Sequence, residues 1–230
     1  MTKQVGFLLS YLKYGDNDAV IHAFTREKGY QTFFVKGIFS SRNKKRSYLI
    51  PLNELEFGFA KEPKTGRMAL VNHLELVENP EFYSDVKCST IVFFVAEFLN
   101  RNLQNEGVSE EIYTHILQFL DELERKNYTC HLVFLFQILK EFGFVPLLGN
   151  APYLNPEMGS FGAQQSHHLY DESISQIWKH LLESDEVYHV KIHSQLRRDF
   201  LESLLVYYHF HLPDFRMPQS LEIVQQLFVE

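Results

Sequence analysis

Four cations within five positions, Arg42, Lys44, Lys45 and Arg46, follow a run from Tyr30 to Lys36 that is dense in β-branched and aromatic residues. Cations at this density neutralise phosphates and flat rings stack on bases, so the two features together suit a nucleic-acid strand. A solvated basic loop is the plain alternative. Further cations recur at predicted turns: Lys13 beside the first, Arg26 and Lys28 in the second, Lys36 at a strand end, and Lys61, Lys64 and Arg67 in a later hairpin. The candidate rings are Tyr30, Phe33, Phe34 and Tyr48. Alternation along a strand sends Phe33 and Phe34 to opposite faces, so some rings are open to bases and the others fill a core.

Other chemistry finds little to work with. The chain has no P-loop, no G-x-G-x-x-G, no H-E-x-x-H and no G-x-S-x-G. Asp121, Glu122 and Glu124 read as the solvated face of a helix. Cys130 and His131 are adjacent, which on a helix turns them about 100° apart, so they do not form a nucleophile and base. His167, His168, His209 and His211 lack the three converging ligands that a metal needs. Neither a catalytic residue, a metal nor a cofactor is expected. Two cysteines, Cys88 and Cys130, suit a reducing cytoplasm and offer no disulfide framework. No run of about 18 apolar residues occurs, and the N-terminus lacks a small-residue cleavage site, so neither a membrane span nor a signal peptide is expected.

These cations need a scaffold. Five strand-like runs with turn signals at short spacing lie within 4–12, 19–24, 30–38, 48–59 and 68–77, which predicts a small five-stranded barrel of the OB kind over 1–78. At Glu78–Glu81 the apolar period lengthens from near 2 to near 3.6, and an all-helical domain is predicted over 79–230. Helices are expected at 86–103, 109–125, 131–142, 172–182, 193–210 and 218–228. An excursion without helical period, rich in Pro and Gly, interrupts them at about 144–171. The class is therefore α+β. The formal net charge of −7 hides a split. Residues 1–75 carry 12 Lys and Arg against 7 Asp and Glu, whereas residues 76–230 carry 10 against 22. A positive module joined to a negative one is the pattern of a nucleic-acid-binding part attached to something else. Phe93, Phe94, Phe98, Phe119, Phe134, Phe136 and Phe142 read as the core of the negative part.

The order Phe7-Leu8-Leu9, Tyr14-Gly15-Asp16-Asn17-Asp18, Phe24-Thr25-Arg26-Glu27-Lys28-Gly29, then Lys36-Gly37, Ser41-Arg42 and Pro51-Leu52 leading to Glu54-Leu55-Glu56 resembles the N-terminal OB domain of the bacterial recombination mediator RecO. Phe142-Gly143-Phe144-Val145-Pro146-Leu147-Leu148, Ser220-Leu221 and Leu227-Phe228 extend the resemblance through the helical part. It implies a non-enzymatic role in DNA repair and recombination in the cytoplasm, associated with the nucleoid. Such a protein binds single- and double-stranded DNA and anneals complementary strands. It contacts the C-terminal tail of single-strand-binding protein (SSB) and acts with RecR to load RecA. Arg101, Arg125, Lys126 and Lys140 are the candidate cations for that acidic tail. Many members carry a four-cysteine zinc module after the Val-Pro-Leu-Leu segment. Residues 150–171 occupy that place without a cysteine, so the excursion must be held by packing and by turns. The contrasting reading is a protein-interaction adaptor with an OB-like barrel and no direct DNA binding.

Overall fold

The computed structural model describes residues 2–61, 68–78 and 81–228. Packing divides the chain into two compact units: Met1–Tyr113 with Pro218–Ser220, and Thr114–Met217 with Leu221–Glu230. Regular strand ends at Leu76 and a 3-10 turn begins at Glu81, whereas the two units divide after Tyr113.

The first unit holds a six-stranded sheet. Its strands are β1 (Thr2–Tyr14), β2 (Asp18–Thr25), β3 (Gly29–Val35), β4 (Glu54–Phe59), β5 (Ala69–Val71) and β6 (His73–Leu76). Their spatial order is β5-β3-β2-β1-β4-β6. The two outermost strands are therefore separated in sequence by one residue, Asn72. A sheet whose opposite edges are joined so closely has to curl until those edges meet. Asn72 holds the corner: its backbone N–H donates to Gly58 O at 2.9 Å, and its Oδ1 accepts from Ala60 N at 3.0 Å. The single strand expected over 68–77 is thus two short ones, β5 parallel to β3 and β6 antiparallel to β4. Taken together they make the fifth strand of the OB-type barrel, which accounts for six strands where five were expected.

Residues 48–59 also differ from a continuous strand. Lys44–Tyr48 form a 3-10 turn, and regular pairing begins only at Glu54. Asn43 Oδ1 caps the turn by accepting from Lys45 N at 2.9 Å, and Leu52 sits at φ 60°. Pro51 lacks the N–H that a ladder needs, in keeping with the break before Glu54.

Inside the barrel, Leu8, Ala19, Ile21, Ala23, Phe33, Val35, Leu55, Phe57 and Leu74 form one apolar cluster. The outer face carries cross-strand rows set by register. One row is Phe7, Phe24 and Tyr30. It is covered from outside by α1 (Val86–Asn102) and its neighbours: Phe7 packs on the Tyr113 ring at 4.7 Å, and Tyr30 Oη donates to Asn100 Oδ1 at 3.0 Å. Asp85 caps α1, accepting from Lys87 N and Cys88 N. At the other end of α1, Glu97 accepts from Gln219 N, Ser220 N and Ser220 Oγ at 2.8, 2.9 and 2.6 Å, which ties Pro218–Ser220 to the first unit.

The second unit is built on α3 (Cys130–Glu141), α4 (Glu172–Glu183) and α5 (Arg197–His211), with most of α2 (Glu110–Glu124) and a short α6 (Leu221–Gln225). Ser109 Oγ caps α2 by accepting from Ile112 N, and Asp171 caps α4 by accepting from Ile174 N. Phe119, Phe134, Phe136, Trp178, Tyr207 and Tyr208 are buried within it. The excursion is not wholly irregular: β7 (Tyr153–Asn155) and β8 (Ser160–Gly162) form a small antiparallel ribbon. With no cysteine present, ordinary bonds hold it. Leu154 N donates to Ser175 Oγ at 2.9 Å, and His211 Nε2 is 2.6 Å from Pro156 O. The His211 ring also stacks on Tyr207 at 4.2 Å. No helix among the described residues is long and apolar enough to cross a membrane.

Candidate nucleic-acid interface

The basic loop starts where β3 ends. Gly37, at φ 65°, lets the chain reverse there without a Cβ penalty. Its N–H donates to Asp18 Oδ1 at 2.8 Å, and Phe39 N donates to Asn17 O at 2.8 Å, so the loop is fastened to the β1–β2 turn. Asn43 Nδ2 donates back to Gly37 O at 3.0 Å. These bonds bring Lys36, Arg42, Lys44 and Arg46 to the end of the barrel that carries Lys13. The Lys13 ammonium and the Arg46 guanidinium lie 5.8 and 5.7 Å from the same ring, Phe39, and the Tyr11 ring lies 6.1 Å from it. Arg42, Lys44, Arg46, Lys13 and Lys36 are all exposed. Two cations over one ring, with three more exposed on the same tethered loop, can neutralise a run of phosphates.

Lys45 is the exception in the loop. Its ammonium donates to Leu74 O at 2.8 Å and to Glu75 Oε1 at 2.6 Å, which straps the loop to β6. That hydrogen bond from Lys45 holds the Glu75 carboxyl below the usual carboxylate range. Lys45 is a structural cation, and its charge is already matched.

The remaining sequence candidates lie elsewhere. Arg26 and Lys28 sit in the β2–β3 turn, at the opposite end of the hairpin from Lys36; eight residues of strand span about 25 Å. Arg26 lies over the Tyr113 ring at 4.6 Å, and Tyr113 Oη donates to Glu54, so this corner is part of the scaffold. Gly29 explains how tightly it is built: at φ 67°, a Cβ there would lie 2.0 Å from Gly107 O. Lys61 follows β4, whose last residue pairs with Thr2, again away from Lys13. Lys64 and Arg67 lie outside the described residues. Lys13 and the loop that follows Lys36 thus lie at one end of the barrel, and Arg26 lies at the other.

Of the rings, Phe33 is fully buried in the barrel and Phe34 faces out, half-buried. Tyr30 is engaged by Asn100 and stacks on His22 at 5.9 Å. Burial pushes the Tyr30 phenol up to about 12 and lowers the His22 imidazole. Tyr48 packs against the barrel core. Sequence reasoning missed Tyr11, Tyr14 and Phe39. The signal was present in the even-odd placement of Tyr11 and Lys13, but it becomes legible only when β1 is known to run on to Tyr14.

Two of the four cations expected to hold an acidic tail are committed to the chain's own carboxylates. Arg101 pairs with Glu97 at 2.7 Å. Arg125 pairs with Asp121 at 2.7 Å and Glu122 at 2.9 Å. Arg125 also lines a cleft of about 380 Å³ in the second unit, beside Asp121, Glu122, Asp185 and Glu186. Negative lining of that kind repels an acidic peptide. Lys126 occupies the turn after α2 at φ 64°, and Lys140 is exposed in the last turn of α3. Among the described residues, no group of three His, Cys, Asp or Glu side chains is placed to hold a metal ion.

Comparison with known proteins bears on the chain as a whole. Residues 1–80 match the family model for the N-terminal part of recombination protein O, and residues 83–150 match the model for its C-terminal part. Relatives named DNA repair protein RecO are similar along nearly all of the chain. That of Flavobacterium psychrophilum is 29% identical over 237 residues, covering 98% of each chain. That of Phocaeicola vulgatus is 29% identical over 245 residues, covering 99% of each. That of Bacteroides fragilis is 26% identical over 240 residues, again covering 99% of each. Two successive models of one protein, matched in order on the barrel and on the helices, together with relatives that run the full length, place the chain in the recombination protein O family.

Proposed function

We propose that this chain is a non-enzymatic mediator of DNA repair and recombination whose module of residues 1–78 binds single- and double-stranded DNA through the basic end of the barrel. Membership in a family of DNA-repair proteins supports the role. The observation that supports the binding site is the meeting of Lys13 and Arg46 over the Phe39 ring, beside Tyr11, at the end of the barrel where the loop carrying the exposed Lys36, Arg42 and Lys44 is fastened. With its phosphates neutralised there, a strand repels its complement less, which favours annealing. Loading of RecA on SSB-coated DNA together with RecR, in the cytoplasm and at the nucleoid, completes the proposal. The helical part, residues 79–230, has a surplus of acid that makes it a poor DNA surface, so we assign the SSB tail to a local basic spot on it. Lys140 is the cation to test first.

Fluorescence anisotropy with a labelled oligonucleotide over a salt series tests the binding site. Log affinity falls linearly with log salt, and each phosphate contact contributes about 0.7 to the slope for a single strand and about 0.9 for a duplex. Changing Arg42 and Lys44 together to Ala is expected to lower the single-strand slope by about 1.4. An unchanged slope removes the loop from the interface. Absence of binding at low salt favours the adaptor reading.

A further inference from the structure

We infer that a second feature of the barrel, an uncovered aromatic and aliphatic row on its outer face, is a base-stacking platform that tells single strands from duplex; this rests on the DNA-binding reading above. Register aligns Leu12 with Val20, Val20 with Phe34, and Phe34 with Leu70, so the row crosses β1, β2, β3 and β5. The Tyr14 ring joins it, edge-on to Phe34 at 5.6 Å. Leu12, Tyr14 and Leu70 are 65%, 59% and 47% exposed.

The contrast with the other apolar row on the same face is what makes this one informative. Phe7 and Phe24 are fully buried, and the row they share with Tyr30 is closed by Tyr113 and Asn100. Between the two rows runs a polar one, Ser10, His22 and Thr32. Among the described residues the face is therefore half covered, and the open half lies toward the end that carries the basic loop. Lys36 is exposed in the turn that directly follows β3, two residues after Phe34. Tyr14 follows Lys13. An apolar strip at the end of the barrel to which the basic loop is fastened, with the exposed Lys36 just beyond its β3 member, fits a chain of flat apolar groups linked by anions, which is what a single strand presents.

Duplex DNA presents the same phosphates but keeps its bases stacked on one another. It can meet the cations of the basic end and cannot use Tyr14 or Phe34. The platform therefore holds strands before they pair, and the paired product is held by the cations alone. Pairing itself weakens the grip, which gives an annealing protein a route to release its product.

The test measures affinity for a labelled single strand and for the matching duplex at one salt concentration. The proteins compared are the wild type, a Tyr14→Leu/Phe34→Leu variant and a Lys36→Ala/Lys44→Ala variant, each first shown by thermal unfolding to be folded. Both rings lie on the surface, and Leu keeps apolar bulk while removing the π face. The ring variant is expected to lose roughly tenfold or more on the single strand, on the scale of one lost base stack, and to keep its duplex affinity. The cation variant is expected to weaken on both. Phe34→Trp, alone, is expected to keep single-strand affinity. A ring variant that binds the single strand as tightly as wild type, or that loses both affinities in step, overturns the platform alone. Wild type that binds neither at low salt overturns the platform and the DNA-binding reading together.

Discussion

Lys44 and Lys45 are adjacent in sequence and have different jobs. Lys44 is exposed, whereas Lys45 reaches back to Leu74 O and Glu75. Single substitutions separate the two roles. Lys44→Ala is expected to lower the salt slope of DNA binding by about 0.7 for a single strand and to leave the melting temperature unchanged. Lys45→Ala is expected to lower the melting temperature and loosen the loop. The Lys45–Glu75 bond lies at the surface and is screened by salt, so the thermal effect should shrink as ionic strength rises. Equal effects of the two substitutions on both readouts would contradict this division.

Among the elements, α1 carries more than its own packing. Its Glu97 carboxylate is the acceptor that fixes Gln219 and Ser220. Burial pushes this carboxyl up. The hydrogen bonds from Ser220 and from the Gln219 and Ser220 backbones, with the charge of Arg101, outweigh burial and hold it below the usual carboxylate range. A carboxyl depressed in the folded state contributes stability above its unfolded pKa, and that contribution is lost as pH falls through the folded value. Amide exchange at Gln219 and Ser220 is therefore expected to be slow at neutral pH. It should quicken as the pH falls below the usual carboxylate range, after allowing for the intrinsic pH dependence of exchange. Glu97→Ala should give the fast, pH-insensitive limit already at neutral pH. Protection that survives Glu97→Ala would show that packing, not the carboxylate, holds the segment.

At the scale of the whole molecule, stability toward acid is expected to be governed in part by His131. It is fully buried in α3, and burial lowers its imidazole to about 3, with the Tyr128 backbone pulling partly the other way. Between about 6.5, the ordinary value, and about 3, the unfolded chain binds a proton that the folded chain does not. Stability therefore rises with pH across that window and is lost as pH falls through it, by up to about 1.4 kcal/mol per pH unit for one proton. Urea unfolding across that range measures the slope, and His131→Leu is expected to reduce it whatever the variant's absolute stability.

Much of this was legible before the fold was seen, and the limits have physical causes. Local patterns carried the barrel and the helices: the period-2 runs and the change of period near 78 depend on neighbours in sequence. The charge split and the loop composition pointed to the basic module for the same reason, since a count of charges needs no coordinates. Register is not local. That 68–77 divides at Asn72 between two different partners follows from the curl of the sheet. That Lys45 is bound while Lys44 is exposed follows from where β6 passes. That Phe33 is core and Phe34 is surface needed the side of the sheet that closes, although alternation had already separated the two. The row Leu12, Val20, Phe34 and Leu70 draws on four strands spread over nearly sixty residues, so only tertiary pairing could show it as one surface. The chain alone determined which residue types stand near one another along the backbone, and hence the family and the sign of each part. The tertiary structure decided which of those side chains share a face, because that depends on strand register and on which half of the face α1 covers.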